Sequence, residues 1–196
     1  MRSDQVDFWQ PRYVSGETPW DLGGIPVALD RWLQHETRTG RVLIPGCGAG
    51  HEVRAFHEAG WDVKAIDYAP AAVERATAQL GDLAGKVSLA DFFADDLGRD
   101  FDVIYERTFL CSMPRDRWQS YVARTAGLLR QDGRLLGHFF FGENDDPPPY
   151  PLTDELQRAL FGSTFSKQHD EPAVDSLPMF DGRERWQIWQ KNAATR

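Results

Sequence analysis

Residues 42–67 decide the fold of this chain, and they read VLIPGCGAGHEVRAFHEAGWDVKAID. The first three residues are apolar and branched, which is typical of a short buried strand. Three glycines follow within five residues, and their conformational freedom allows the backbone to turn sharply. A helix then runs to Gly60, which predicts its end, and a second strand covers residues 61–66. That strand leads into Asp67, so the stretch predicts a β-α-β unit with an acid at its tip.

The glycine loop and the acid of such a unit bind a ribose-bearing cofactor at the carboxyl ends of the strands. A dinucleotide site needs glycine at the sixth position of the loop, where this chain has His51. No lysine or arginine lies between Arg41 and Arg54, so the loop offers no partner for a pyrophosphate. S-adenosylmethionine has no phosphate and fits this loop, and Asp67 would accept hydrogen bonds from both ribose hydroxyls. Asp67 would suit a nicotinamide cofactor equally well, so a nicotinamide-dependent oxidoreductase stays open.

Composition indicates one acidic domain that spans residues 1–196. The chain carries 22 Lys and Arg against 30 Asp and Glu, and a formal charge of −8 argues against a nucleic-acid partner. Two cysteines and no signal-peptide pattern at the N-terminus predict a reducing cytoplasm. No apolar stretch approaches membrane-spanning length, so we expect no membrane partner. We expect a monomer. We expect no metal site, because no His, Cys or acidic residues have metal-ligand spacing.

Residues 1–36 form an N-terminal arm ahead of a Rossmann-like core, residues 37–196. The arm is rich in aromatic side chains, among them Phe8, Trp9, Tyr13 and Trp20. We expect an irregular segment with one helix near residues 27–34. So many exposed aromatics would cause aggregation, so the arm must pack onto the rest of the molecule. It is either a cap over the core or a lid that closes on a ligand, with Trp faces near a cation.

Beyond Asp67 the chain alternates between helix-like and strand-like patterns. The predicted helices cover residues 69–80, 115–129 and 152–161, and Thr153 is the N-cap of the last one. The predicted strands cover residues 86–90, 101–105, 135–141, 165–170 and 185–191. Alternating strands and helices form a parallel sheet with helices on both faces. A turn between the last two strands adds an antiparallel final strand, so we predict an α/β fold with a mostly parallel seven-stranded sheet.

Four segments of the chain carry a family resemblance. They are FWQPRY at 8–13 with TPWD at 18–21, IPGCGAGHEV at 44–53, AID at 65–67 and YERTFLCSMP at 105–114. Together they resemble the class I S-adenosylmethionine-dependent methyltransferases, and more narrowly the thiopurine S-methyltransferase superfamily with its halide/thiol methyltransferase branch. The resemblance implies a single-domain, Rossmann-like methyltransferase fold. It also implies S-adenosyl-L-methionine as the cofactor and S-adenosyl-L-homocysteine as the product.

The resemblance further implies a set of cofactor contacts. The implied residues are Trp9, Tyr13, Trp20, Gly46, Gly48, Asp67, Asp91, Phe92 and Arg107. In this set Asp67 holds the ribose, Asp91 and Phe92 contact the adenine, and the glycines offer their backbone. Arg107 would face the methionyl carboxylate or the methyl acceptor. The alternative for Arg107 is a surface salt bridge with a neighbouring acid.

The acceptor implied by the resemblance is a small nucleophile. It is a thiol, such as a thiopurine or hydrosulfide, or else a halide or metalloid. Gly46 resembles the halide/thiol branch, whereas Arg107 resembles the thiopurine branch, so both stay open.

No general base is expected, since a thiol with a pKa near 8.5 supplies some thiolate at neutral pH. The histidines at 35, 51, 57, 138 and 169 show no paired arrangement, and we assign no catalytic residue. Such a reaction leaves no unmistakable catalytic residue, so a non-catalytic S-adenosylmethionine-binding module also stays open. The run Pro147–Tyr150 is either a rigid wall of the acceptor pocket or an ordinary proline-stiffened loop.

Overall fold

The computed structural model describes residues 2–193, which fold around one seven-stranded sheet. Its strands are β1 Arg41–Pro45, β2 Asp62–Asp67, β3 Val87–Leu89, β4 Phe101–Arg107, β5 Leu129–Phe140, β6 Phe165–Pro172 and β7 Glu184–Lys191. They lie in the order β3-β2-β1-β4-β5-β7-β6. Strand β7 runs antiparallel to both of its neighbours, and the other neighbouring pairs are parallel. This confirms the predicted mostly parallel sheet with an antiparallel final strand.

Helices flank the sheet on both faces. Within residues 2–193 they are α1 Val6–Ser15, α2 Val27–His35, α3 His51–Glu58, α4 Pro70–Leu80, α5 Phe109–Ser112, α6 Trp118–Leu128 and α7 Asp154–Phe161. In the same part of the chain, no helix combines the length and the apolar character that crossing a membrane requires.

The predicted β-α-β unit forms as β1, α3 and β2. Strand β1 pairs in parallel with β2, and its apolar residues Val42, Leu43 and Ile44 are buried. Gly50 has a φ of +79° and begins α3 as its N-cap, a conformation that glycine adopts without steric cost. Gly60, with a φ of +87°, turns the chain from α3 into β2. The glycines therefore mark both ends of this helix.

Alternate side chains of the central strands enter two cores on opposite faces of the sheet. On one face Leu43, Ile66 and Ile104 pack with residues of α6 and α7. On the other face Val42 and Val103 pack with residues of α2, α3 and α4. Because both faces of the sheet are covered, its carboxyl edge is left as the place where a ligand can enter.

The N-terminal arm differs from its prediction, because it contains the regular helix α1. Pro11 and the many aromatic residues favoured an irregular segment over a helix. A helical pattern is nevertheless present, because Val6, Trp9 and Tyr13 recur at intervals of three and four residues. Gly16 has a φ of +75° and ends the helix as a left-handed cap. This spacing and the terminal glycine together predict helix α1.

Strand β5 also differs from its prediction, because it begins at Leu129 rather than at 135. Asp132 and Gly133 lie at an irregularity inside the strand, and Asp132 has a φ of +61°. Pairing with β4 starts at Leu129, breaks, and resumes at Arg134. Pairing with β4 on both sides of this irregularity keeps residues 129–140 in one strand.

Candidate functional site

A cavity of about 400 Å³ opens at the carboxyl ends of the central strands. Gly46 follows β1, Asp67 ends β2, residues 90–93 follow β3 and Thr108 follows β4, and all of them line it. Chain progression through the sheet reverses between β1 and β4, and α/β sheets form their ligand crevices at such a reversal. The volume lies within the range of about 300–1,000 Å³ that is usual for small-molecule sites.

Asp67 is buried at the tip of β2, and two backbone N–H groups fix its carboxylate. The N–H of Gly48 donates to Oδ2 at 3.1 Å, and that of Ala69 donates to Oδ1 at 2.9 Å. Burial raises the pKa of Asp67 to about 6, although these hydrogen bonds act in the opposite direction. Each carboxylate oxygen can accept a further hydrogen bond, so Asp67 can also bind hydroxyl groups in the cavity.

Two glycines of the loop between β1 and α3 lie close against side chains of the cavity wall. Gly46 has a φ of +61°, and a Cβ there would lie 2.5 Å from the ring of Phe109. Gly48 has a φ of +52°, and a Cβ there would lie 3.1 Å from the hydroxyl oxygen of Tyr13. Phe109 and Tyr13 both line the cavity, so glycine at these positions lets two cavity walls approach the loop backbone.

Aromatic rings of the arm form one wall of the cavity. The ring of Trp20 lies edge-on to Trp9 at 5.2 Å and to Tyr13 at 5.9 Å, measured between centroids. The indole N–H of Trp9 donates to the carbonyl oxygen of Ser3 at 2.6 Å, which ties α1 to the segment before it. Aromatic faces attract cations, so this wall suits the positive charge of the expected cofactor.

The loop after β3 forms an aromatic slot beside Asp91. One oxygen of Asp91 accepts the N–H of Phe93 at 2.7 Å and shapes the loop. Phe92 is buried and lies edge-on to Phe109, with 5.3 Å between the ring centroids. The guanidinium of Arg117 lies over the ring of Phe93 at 4.3 Å. These aromatic surroundings suit a flat base. The binding of adenine at this position stays a prediction.

Arg107 lies behind the arm and does not line the cavity. Its Nη1 donates to the carbonyl oxygen of Trp20 at 3.2 Å, and its Nη2 lies 3.9 Å from Oε1 of Glu184. Burial raises the pKa of Glu184, and the charge of Arg107 opposes that rise. Arg107 therefore has an acidic neighbour, but both side chains are largely buried, so the pair is not the surface salt bridge of the alternative interpretation. A contact of Arg107 with cofactor or acceptor stays a prediction.

A polar cluster beside the glycine loop was missed by the sequence analysis. Asp21 of the arm lies 2.9 Å from Nε2 of His51 and accepts a hydrogen bond from Arg75 at 2.8 Å. The other ring nitrogen of His51 lies 2.7 Å from Nε2 of Gln79. His51 is the main reason that the pKa of Asp21 falls to about 2, and Asp21 in turn raises the pKa of His51. One histidine therefore does have a paired arrangement, with a partner 30 residues away that no local pattern reveals.

Another part of the cavity wall is mostly apolar and comes from two segments, one after β5 and one after β6. It includes Pro147, Pro148, Pro149, Met179 and Phe180. All five histidines lie in the described part of the chain, and none of them lines the cavity. Lysine and glutamate side chains of residues 2–193 are also absent from its lining. Over that same range, no three His, Cys, Asp or Glu side chains form a group that could hold a metal ion.

Nearly the whole chain matches one protein family. Residues 4–192 match the family model described as thiopurine S-methyltransferase. This chain belongs to the thiopurine S-methyltransferase family. It is therefore a small-molecule methyltransferase that depends on S-adenosylmethionine, which excludes the nicotinamide-dependent oxidoreductase.

Individual relatives of this thiopurine S-methyltransferase family member agree with that assignment. Probable thiol methyltransferase 2 of Arabidopsis thaliana is 31% identical over 203 residues, which cover 98% of this chain and 88% of that protein. Thiopurine S-methyltransferase of Aliivibrio salmonicida is 26% identical over 206 residues, which cover 93% and 97%. The structure of 1,6-didemethyltoxoflavin-N1-methyltransferase from Burkholderia thailandensis superposes with a TM-score of 0.76 at 22% identity, over 96% of this chain and 87% of that chain. This similarity confirms the predicted methyltransferase fold.

The cavity brings together most of the residues that the family resemblance implied. Those that line it are Trp9, Tyr13, Trp20, Gly46, Asp67, Asp91 and Phe92. Gly48 is outside the lining and donates to Asp67, and Arg107 supports the arm at Trp20. Phe109 was not predicted, although it follows directly on Arg107 and Thr108 at the end of β4. Direct contact of each residue with the cofactor stays a prediction.

Proposed function

We propose that this protein transfers the methyl group of S-adenosylmethionine to the sulfur of a small thiol. The observation that carries the proposal is a cavity with aromatic and apolar walls, whose described lining contains no histidine, lysine or glutamate. The acids of the lining are Asp4, Asp67, Asp91 and Asp146. Three of them already accept hydrogen bonds, Asp4 from Arg2, Asp67 from Gly48 and Asp91 from Phe93, so we assign none of the four as a general base for the acceptor. The names of two relatives, a probable thiol methyltransferase and a thiopurine S-methyltransferase, support a sulfur acceptor.

The residues of the cavity fit this cofactor. Asp67 offers carboxylate oxygens for the ribose hydroxyls, and the close approach of Phe109 to Gly46 leaves only backbone on that side. The arm places the rings of Trp9 and Trp20 in the wall, where they would stabilise a positive charge. When bound, S-adenosylmethionine supplies a methyl group that its sulfonium has already activated for displacement.

The protein then has to position the acceptor and exclude water. A thiolate and a methyl carbon that are held in line react far faster than the same groups in solution. The proline run and Phe180 offer a stiff apolar wall for the acceptor, and Met179 adds a polarizable thioether that suits a sulfur or aromatic ligand. The proline loop is therefore better described as a pocket wall than as an ordinary surface loop.

The difference in ionisation between thiols and hydroxyl groups favours a thiol as the acceptor. A thiol with a pKa of about 8.5 is ionised to a few per cent at neutral pH, whereas an alcohol needs a base to react. Iodide, hydrosulfide and oxidised metalloids also react without a base, so we propose them as secondary acceptors. The arm would act as the lid of this site, because its aromatic rings form part of the cavity wall.

An acceptor screen tests the proposal directly. Aromatic thiols, hydrosulfide, iodide and oxidised metalloids would each be supplied with S-adenosylmethionine, and formation of S-adenosylhomocysteine would be measured. Each aromatic thiol is paired with its hydroxyl analogue as a control. We expect turnover of thiols that rises with their thiolate fraction, and none of the hydroxyl analogues.

Two outcomes would contradict the proposal. If S-adenosylhomocysteine binds but no member of the panel is methylated, the protein is better described as a binding module. If hydroxyl analogues react as fast as thiols, the cavity must supply a base that the proposal lacks. The monomeric state, the cytoplasmic location and the lack of a nucleic-acid partner stay predictions, and light scattering in solution would test the first of them.

A further inference from the structure

The segment that carries Trp20 is held in place by side chains from distant parts of the chain. Arg107 donates to the carbonyl oxygen of Trp20 at 3.2 Å. Arg75 of α4 donates to Asp21 at 2.8 Å and to the hydroxyl of Thr18 at 3.0 Å. Residues 16–24 form no helix or strand of their own, so these contacts decide where the Trp20 ring stands in the cavity wall.

His51 completes this attachment, and it is the member of the cluster whose ordinary pKa lies closest to neutral pH. It is the first residue of α3, directly after the glycine loop, and its Nε2 lies 2.9 Å from Oδ1 of Asp21. The charged or ionisable groups that face it are Asp21 of the arm, Glu52 of its own helix and Arg75 of α4. Nε2 of Gln79 on α4 lies 2.7 Å from its Nδ1 and donates to the neutral ring, so the Gln79 amide turns over to accept from the protonated ring through its oxygen.

We propose that Asp21 and His51 are a positioning pair, through which protonation of His51 fixes the Trp20 wall and raises the affinity for the cofactor. Protonated His51 gives Asp21 a charge-assisted hydrogen bond, which is roughly twice as strong as the bond from the neutral ring. The acids around His51 outweigh Arg75 and raise its pKa, so the charged form persists above the usual range of histidine.

The direction of the effect follows from this coupling. As pH rises through the raised pKa of His51, the hydrogen bond to Asp21 loses its charge and the Trp20 segment is held less firmly. Affinity for the cofactor should therefore fall with rising pH. Asp67 has the opposite effect at lower pH, because its pKa of about 6 means that it is protonated below that value. The two groups together predict a bell-shaped dependence of affinity on pH, with His51 on the alkaline side.

The test is calorimetric binding of S-adenosylhomocysteine between about pH 5 and pH 9, a range that brackets the usual histidine pKa of about 6.5. The variants are His51→Gln and Asp21→Asn, and the control is His57→Gln, an exposed histidine of the same helix. We expect the affinity of the wild type and of the control to fall about threefold to tenfold across the alkaline limb. His51→Gln should lack that limb. Above about pH 6 it should bind at the weak level of the alkaline wild type, and the acid limb that Asp67 causes should remain.

Two further measurements separate positioning from general damage. The KM for S-adenosylmethionine should rise in His51→Gln while kcat at saturation stays within about twofold, because a positioning change of this kind removes binding in the ground and transition states alike. Hydrogen exchange without any ligand should be faster in this variant at the amides of Asp21 and Gly23, which bond to Thr18 and to the Asp21 carboxylate.

The inference rests on the cofactor site proposed above, and the experiment separates the two. Wild-type protein that fails to bind S-adenosylhomocysteine would overturn both. If the wild type binds but His51→Gln keeps the same alkaline limb, only the role of the Asp21–His51 pair is overturned. Asp21→Asn should weaken binding at least as much as His51→Gln, because it also removes the charge that Arg75 contacts, and wild-type affinity in that variant would also overturn the inference.

Discussion

Asp67 holds an ionisable carboxylate in a place that water reaches poorly. Its hydrogen bonds from the N–H groups of Gly48 and Ala69 favour the charged form, but burial outweighs them and raises the pKa to about 6. Ribose hydroxyls would donate to the charged carboxylate and restore the solvation that it lost on folding. Protonation of Asp67 at acidic pH should therefore lower the affinity for the cofactor.

Asp67→Ala should weaken the binding of S-adenosylhomocysteine by about 1.5–3 kcal/mol, the range for hydrogen bonds to a charged group. Wild-type affinity should fall as the pH drops through about 6, where Asp67 gains a proton, and the variant should not show this fall. Titration calorimetry at several pH values measures both effects. Asp146→Ala is the control, because it removes an exposed carboxylate from the far loop of the same cavity. Equal acid sensitivity in Asp67→Ala and wild type would refute the ribose assignment.

Gly46→Ala should destabilise the protein and impair the cofactor site together. The new Cβ would lie 2.5 Å from the ring of Phe109, and the φ of +61° is unfavourable for alanine by roughly 1–2 kcal/mol. Gly16→Ala is a matched control, since its φ of +75° has a similar backbone cost and nothing lies within 4 Å of the new Cβ. Urea unfolding should show a larger loss for Gly46→Ala. A loss equal to that of the control would mean that Phe109 moves aside freely.

At the scale of elements, helix α1 joins the arm to the core of the fold. The side-chain oxygen of Gln10 accepts the N–H of Ala71 at 2.9 Å, which satisfies a free donor in the first turn of α4. In the same way Glu106, at the end of β4, accepts the N–H groups of Phe109 and Leu110 at 3.1 and 3.0 Å and begins α5. Side chains of one element thus cap the next, and α5, which Glu106 caps, lines the cavity.

Thr153→Ala should lower the free energy of unfolding by about 1 kcal/mol, the usual loss for an N-cap. The hydroxyl of Thr153 accepts the N–H of Leu156 at 3.1 Å, and α7 begins at the next residue. Urea unfolding measures the change, and Thr153→Ser is the control because serine keeps the hydroxyl. If both variants lose the same stability, the methyl group of Thr153 matters rather than its cap.

At the scale of the whole molecule, buried acids collect where the sheet meets the arm. Glu52, Asp67, Glu106 and Glu184 are all buried, and burial raises the pKa of each. Glu106 reaches about 8. A group whose pKa is raised on folding stabilises the protein while it is protonated, and that contribution is lost as the pH rises through the folded value. The native state should therefore tolerate mild acid better than alkali in this region.

Glu106→Gln should flatten the decline of stability with pH. Wild-type Glu106 loses its proton near 4.5 when unfolded and near 8 when folded, so its contribution falls across that window by up to about 1.4 kcal/mol per pH unit. Glutamine cannot ionise, and its oxygen can still accept from the N–H groups of α5. Urea unfolding at about pH 5 and pH 8 checks the slope, since the two values span most of the window. Glu74→Gln, on the exposed face of α4, serves as the control. If the free energy of unfolding falls as steeply with pH in Glu106→Gln as in this control, the ionisation of Glu106 does not destabilise the native state.

Local sequence patterns predicted most elements of the sheet and several residues of the site. The glycines around α3, the N-cap at Thr153 and the acid at the end of β2 each depend on a few neighbouring residues, which is why they were found. Helix α1 was missed although its spacing was regular, because Pro11 and the aromatics suggested an irregular arm. The long irregular start of β5 was missed because its pairing depends on β4.

By itself the sequence determined the β-α-β unit, the glycine loop and the position of Asp67, since strand, turn and helix preferences act over short stretches of chain. Only the tertiary structure decided how the arm is held. Asp21 meets His51 across 30 residues and Arg75 across 54, and Arg107 meets the carbonyl of Trp20 across 87. Such pairs form because folding brings distant side chains into a region of low dielectric, where charges must find partners. The periodicity of the sequence contains no information about which distant side chains will pair.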